Sequence, residues 1–429
     1  MSKERIVIVG GGFAGVRCAR DLSRHVYKDA EIVLIDKNGY HEYHPNFYRI
    51  ATTFLPHSKL PHPETYHELR DRISIPLRDI IDPAKMSLLI DSVTAIDAPK
   101  NTLTLASGKR IHYHWLVFAV GSVTNDFDIP GVEEFGLSLK TANDALLIRN
   151  AIDELFARTP KHIPIHIVIG GGGFTGCEVA ASLACFMEQL SKVHSHPKEN
   201  ISLRILEAGD AILPGASIGL RKRAHVRLEK LGIKIHPRTR ITQVKRDSIL
   251  AEEILDNEDN PLKRPAPGGK IKQLRFPCAL LLWTAGVKAN PLADLIDRAN
   301  KNPKACLMVN DYLEVEPYSN IFAIGDVAFC STLEKPLPMT AQVAISQGKY
   351  IAYALKRIFH KRMRFRYYPH TARFIVPLGE RYAIADLGWV ILEGRSAWWL
   401  KRLATWDYLT GILPFWKALK HWRTSHMER

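Results

Sequence analysis

The chain of 429 residues has six cysteines, Cys18, Cys177, Cys185, Cys278, Cys306 and Cys330, and no CxxC or metal-type Cys/His spacing among them. That disfavours a zinc ribbon and a close-spaced redox dithiol, and it suits a reducing compartment. An uncharged apolar run of 18 residues is also missing, so no membrane-spanning helix is expected. The N-terminus, MSKERIVIVGGG, has a strand-length apolar run broken by glycine instead of a signal-peptide core, which disfavours secretion. Acid is scarce in one region: residues 355–366 hold six basic residues and no acidic one, and residues 395–429 hold seven basic and two acidic. Most of the net charge of +15 sits in the last 75 residues. Such an end calls for an anionic partner, a membrane surface or a nucleic acid. No nucleic-acid motif accompanies it, and none is expected to bind.

What is present is an ordinary globular composition, 46% hydrophobic and 24% charged, long enough for two or three domains. Two segments share one grammar, Arg5-IVIVGGGFAG-Val16 and His166-IVIGGGGFTG-Cys177. Each has an Ile/Val run that reads as a buried parallel strand, then glycines, then a helical pattern, so each opens a βαβ unit. In Gly10, Gly12 and Gly15 the first glycine allows a tight turn, the second admits a pyrophosphate and the third lets the helix pack on the strand. Phosphates then meet the free N–H groups of a helix N-terminus. Asp36 ends the next strand, placed for a ribose. Gly171, Gly173 and Gly176 repeat the fingerprint, with Glu207 as the acid. Glu207 repels a 2′-phosphate, which favours NADH over NADPH.

The runs WLVFAV (115–120) and CALLLW (278–283) read as strands closing each unit. Residues 54–68, 191–200 and 256–269 read as polar loops, the last as a hairpin tip. His57, His62 and His67 read as surface histidines, and no metal site is expected.

On these motifs the chain resembles the FAD-dependent pyridine nucleotide oxidoreductases, and among them the type II NADH dehydrogenases, which are non-proton-pumping NADH:quinone oxidoreductases. Further motifs carry the likeness: IPLRDII (75–81), FAVGS (118–122), WTAGV (283–287), NIFAIGDVA (320–328) and TAQVAISQGKYIA (340–352). The last is similar to the family's AQxAxQ motif, but its second glutamine falls at Ser346, with Gln347 adjacent.

The resemblance implies a glutathione-reductase-like α/β fold with two Rossmann-like dinucleotide-binding domains. It assigns 1–118 and 287–380 to an FAD domain, 119–286 to an inserted NADH domain and 381–429 to a C-terminal membrane-surface segment. FAD is expected at Gly10, Gly12, Phe13, Ala14, Gly15, Asp36 and Lys37, with Gly121, Gly325, Asp326, Ala341 and Gln342. NADH is expected at Gly171, Gly173, Phe174, Thr175 and Gly176, with Glu178, Glu207 and Gly286. Glu178 and Gln342 are the expected catalytic residues: Glu178 near nicotinamide and flavin, Gln342 facing a quinone pocket. A homodimer on the cytoplasmic side of the cell membrane completes the picture. Disulfide reductases and sulfide:quinone oxidoreductases need paired cysteines that residues 19–176 do not supply. Two other readings of the same scaffold are an NADH-dependent reductase of a ferredoxin-type protein and a non-enzymatic flavoprotein redox sensor.

Five of the eight tryptophans, Trp398, Trp399, Trp406, Trp416 and Trp422, fall among the cations of residues 398–423. Ser396 is placed to cap one helix ending near Gly411, and Pro414 to open a second. In the second, Phe415, Leu419 and Trp422 share a face and Lys417 and Lys420 lie opposite. Such a pair suits the headgroup layer of an anionic membrane.

Overall fold

The computed structural model describes residues 3–54, 63–255, 270–331, 333, 336–369 and 373–424. Two strands with buried Ile/Val runs, Glu4–Val9 and Ile165–Gly170, stand at the centres of two five-stranded sheets. In the first sheet Glu4–Val9 lies between Ala30–Asp36 and Trp115–Phe118, with Ser87–Ile90 and Ile321–Ala323 at the edges. Every pairing there is parallel. The second sheet repeats it: Ile165–Gly170 lies between Ile201–Leu206 and Leu280–Trp283, with Lys234–His236 and Gly136–Ser138 outside, again all parallel. The outer strand Ile321–Ala323 reaches the first sheet after the chain has built the second. The outgoing and returning segments pair with each other, Ser122–Thr124 antiparallel to Val287–Ala289. This ribbon fixes the two sheets side by side.

Helix α1 (Phe13–His25) and helix α2 (Phe174–His194) start directly behind the two glycine turns. Helix α3 (Ala341–Phe359) begins at Thr340, whose side chain accepts from the Val343 amide, and packs along α1. The approach is close at Gly348, where a Cβ would stand 2.4 Å from the Ala14 carbonyl oxygen. Strands Phe374–Pro377, Ala383–Asp386 and Ile391–Gly394 form an antiparallel sheet. From it run helix α4 (Arg395–Ile412) and helix α5 (Phe415–Thr424). No helix among the described residues is long and apolar enough to cross a membrane.

Several expectations change. Pro63–Asp71 is a helix, because Leu69 is buried and Arg70 stacks on Tyr40 at 4.3 Å, giving a polar segment an anchored face. His67 lies on it; His57 and His62 lie outside the described residues. Likewise α2 continues to His194, and beyond it His196 is buried, its Nε2 donating to the Phe156 carbonyl at 2.8 Å, so 191–200 is not an exposed loop. Residues 256–269 lie outside the described residues, but Leu255 and Lys270 are partners in the hairpin that flanks them. Ser396 does not cap α4: Gly394, at φ 79°, occupies that position, and Ser396 donates to the Glu393 carbonyl within the first turn.

Nor is α4 a free amphipathic helix. Ala397, Thr405, Tyr408, Leu409 and Ile412 bury its inner face on the protein. Part of the apolar face of α5 is covered by α4: Trp422 packs on Trp406 at 5.8 Å and donates to the Arg402 carbonyl, while Phe415 meets Trp406 edge-on and stays more than half exposed. A helix of ten residues is marginal alone and takes its stability from such a neighbour.

Gly348→Val drives two methyl groups toward the α1 backbone and is expected to cost about 3 kcal/mol. Urea unfolding of the purified variant against the parent measures it; an unchanged midpoint would show that the helices can separate freely.

Candidate active site

Both glycine turns open into one cavity of about 1320 Å³. Gly10 needs a backbone that only glycine adopts readily, at φ 109°, and a Cβ there would lie 2.4 Å from the Ala119 carbonyl oxygen. Gly15 and Gly176 lie behind the turns, where a Cβ would meet the carbonyl oxygens of Gly10 and Gly171 at 1.9 and 2.0 Å. Gly12 and Gly173 line the cavity, and a Cβ on either would meet nothing within 4 Å. No side chain caps α1 or α2, so their first N–H groups are left for an anion. These cradles fit the pyrophosphates of two dinucleotides.

Each acid ties its own turn. Asp36 accepts from the amides of Gly11 (2.5 Å) and Asn38 (2.6 Å), and Glu207 from those of Gly172 (2.6 Å) and Gly209 (2.6 Å). A carboxylate offers about four lone-pair directions, so each retains capacity for a ribose hydroxyl. Burial pushes Asp36 up, against the pull of its two amides. Arg204 turns from Glu207 to Ser202, donating at 2.9 Å.

The cavity wall also gathers Phe13, Ala14, Lys37, Gly121, Gly325, Asp326, Ala341 and Gln342 with Phe174, Thr175, Glu178 and Gly286. Gly15, Gly171, Gly176 and Glu207 stand behind that wall. Ser122 donates to Asp326 at 2.6 Å, and Lys140 donates to Ser122 at 2.8 Å while lying 4.0 Å from the Asp326 carboxylate. This chain joins a residue from each side of the ribbon. Gln347 does not face the cavity: it is 1% exposed, and its Oε1 accepts from the Gly325 amide at 2.7 Å. Ser346 lines the cavity and takes a hydrogen bond from Tyr367 at 3.3 Å. None of the cysteines lines it, and burial holds Cys330 up at about 11, as a packed thiol.

The sequence reading missed the contribution of α4. Lys401, Thr405 and Tyr408, spaced i, i+4 and i+7, form a cavity wall. That spacing was visible, but the tryptophans and cations around it pointed outward. Lys401 donates to the Tyr48 hydroxyl at 2.8 Å and to the Pro45 carbonyl at 3.1 Å. His41 lies between α4 and the first turn. Its Nδ1 contacts the Gly11 carbonyl at 2.9 Å, and since a carbonyl only accepts, Nδ1 carries the proton. The bare Nε2 then accepts from the Tyr408 hydroxyl at 2.7 Å. Burial holds His41 down at about 4, so it stays neutral at physiological pH.

Residues 4–348 match the family described as pyridine nucleotide-disulphide oxidoreductase. The chain belongs to that family. Among curated relatives of this oxidoreductase is the type II NADH:quinone oxidoreductase Ndh of Mycobacterium tuberculosis, 26% identical over 446 residues, covering 99% of this chain and 89% of the relative. The structure of NDH2 from Plasmodium falciparum in complex with NADH superposes with a TM-score of 0.79 at 19% identity, over 99% of this chain and 97% of that one. The sulfide:quinone oxidoreductase of Aquifex aeolicus gives 0.76 at 20% identity, over 96% and 94%. At these identities the solved structures speak for the fold alone, a mixed α/β architecture with parallel sheets.

Burial pushes Glu178 up to about 7, against the pull of the Lys401 ammonium. The native state thus holds its proton more tightly than the unfolded chain does. Between the ordinary value near 4.5 and about 7, folding takes up a proton and stability falls as pH rises. Glu178→Gln is expected to remove that slope and to be more stable than the parent at pH 8 by about 2 kcal/mol. Thermal melts of both proteins at pH 5 and pH 8 check it; parallel pH dependence would refute it.

Proposed function

We propose that this protein oxidises NADH and reduces a membrane quinone through bound FAD, without pumping protons. One observation carries the reading: two dinucleotide-type cradles from two sheets share one cavity, and α3 and α4 close it with Gln342 and Lys401. On this reading residues 1–118 and 287–380 are the FAD unit and 119–286 the NADH unit, and the pairing of Ser122–Thr124 with Val287–Ala289 supports the two crossings. When bound, FAD and NADH supply the hydride and electron-transfer chemistry.

The chain's own residues do the rest. The turns at Gly10–Gly15 and Gly171–Gly176 bind and orient the two pyrophosphates, and Phe13 and Phe174 exclude water from them. Lys37, Gly121, Gly325 and Asp326 hold the FAD side, with Ser122 and Lys140 fixing the Asp326 carboxylate. Thr175 and Gly286 border the nicotinamide side. Ala341 and Gln342, at the start of α3, position the acceptor. Glu178, protonated below about pH 7, keeps a proton at its carboxyl and, with the Lys401 ammonium, offers it where a reduced quinone oxygen would need one. Sulfide chemistry would require a cysteine at the cavity, and none lines it.

The protein acts at a membrane surface, peripherally, from the cytoplasmic side, with a homodimer part of the same reading. Trp399, Leu403 and Trp416 on the outer sides of α4 and α5 are exposed beside cations and support it. Because α4 is a cavity wall, point changes test the membrane role better than truncation.

The purified protein should be yellow, bleach rapidly with NADH and recover on adding a soluble quinone analogue, with steady turnover. Recovery with a ferredoxin and not with quinone would overturn the acceptor. Glu207→Ser should raise kcat/KM with NADPH relative to NADH by about tenfold, through loss of one carboxylate's repulsion of a 2′-phosphate.

A further inference from the structure

Residues 361–369 run back along α3 as a strap, and their placement is unusual: several side chains and the buried Tyr367 fasten it while Met363, Phe365 and Tyr368 point to solvent. The Tyr350 hydroxyl donates to the Phe365 carbonyl at 2.8 Å, and Arg357 donates to the Met363 carbonyl and stacks on Phe365 at 4.7 Å. Arg364 pairs with Glu314, Arg366 lies 3.2 Å from Asp311, and the Tyr367 amide donates to the Asp311 carbonyl at 2.7 Å. So held, the strap cannot fold its apolar side chains under. Met363 is 77%, Phe365 54% and Tyr368 84% exposed. Lys356, Lys361 and Arg362 make no ion pair among the described residues, while His360 lies 3.9 Å from Asp29. A fixed apolar ridge edged by unpaired cations is a surface suited to being covered.

Its position says by what. Tyr350, Tyr353, Tyr367 and Tyr368 form part of the cavity wall, and Lys401, Ala404 and Tyr408 of α4 contribute another part. The outer side of α4 exposes Trp399 and Leu403. The cavity thus lies between two ridges of the same make-up, apolar with cations. We propose that the strap is a second membrane-seating ridge, with Met363 and Phe365 entering the interfacial layer of an anionic bilayer and Lys361 and Arg362 meeting lipid phosphates. Together with α4 it seats the cavity mouth on the lipid, where an apolar acceptor resides. This inference rests on the membrane reading above and adds a surface to it.

Cosedimentation of the FAD-loaded protein with phosphatidylcholine vesicles containing phosphatidylglycerol tests it. Met363→Glu with Phe365→Glu should weaken binding by about tenfold or more. Lys361→Glu with Arg362→Glu should do the same for these vesicles, with a smaller loss on phosphatidylcholine alone. Both variants should keep NADH oxidation with a water-soluble quinone analogue. If the parent binds and Trp416→Glu releases it but neither strap variant does, the strap proposal falls and the membrane reading stands. If the parent does not bind, both fall. If the strap variants bind as the parent does but turn a dimer into a monomer by gel filtration, the ridge belongs to a second copy and the proposal is overturned. A polarity-sensitive dye at Met363→Cys, in a Cys185→Ser background, gives an independent reading: a blue shift on vesicles supports lipid contact, and an unchanged spectrum refutes it.

Discussion

Two contacts without side chains support everything else. Gly15 and Gly176 bring the first turns of α1 and α2 to within van der Waals distance of the carbonyls of Gly10 and Gly171, where any Cβ would overlap an oxygen. Because each helix starts so tightly behind its strand, its unpaired N–H groups point into the space in front of the sheet instead of into a capping side chain. The anion-binding geometry is thus a consequence of backbone packing, and Asp36 and Glu207 lock it by holding the amides of Gly11 and Gly172.

A second dependence runs from the end of the chain to its beginning. Tyr408 of α4 hydrogen-bonds His41, which holds the carbonyl of Gly11 in the first turn. Tyr43 reaches Thr405 one turn away at 3.2 Å. Helix α4 is therefore part of the cavity wall as well as of the outer surface. One rigid element thus carries the exposed Trp399 and Leu403 on its outer side and the cavity-lining Lys401, Thr405 and Tyr408 on its inner side, so surface and cavity are joined through α4.

Charge follows the same division. Lys140, Ser122 and Asp326 form a partly buried chain across the ribbon, where low polarity makes hydrogen-bonded charge effective. Arg364 and Arg366 are spent on Glu314 and Asp311 to hold the strap. Arg402 is stacked among Trp398, Trp399 and Trp422, between 4.6 and 5.1 Å from each ring. The basic excess that composition assigns to an anionic partner is thus partly structural, Lys417 of α5 also pairing with Asp79, while among the described residues Lys361 and Arg362 of the strap and Lys420 and Arg423 of α5 make no ion pair.

The amino-acid order by itself determined the two strand-turn-helix units with their glycines and acids, because those depend on local spacing: an Ile/Val run, a glycine where φ is positive, an acid at a strand end. It could not place Gln347 against Gly325, His41 beneath Tyr408, or Lys401 beside Tyr48, since such contacts join residues up to hundreds of positions apart and any of these side chains reads equally well as solvated. Ser396 looked like a cap because capping residues share one chemistry, while the backbone at Gly394 chose the helix start. The apolar face of α5 was legible as a face but not as facing α4, because amphipathic periodicity records that a side is covered and not by what. Only the tertiary structure decided that, by bringing Trp406 and Arg402 within reach before any membrane could.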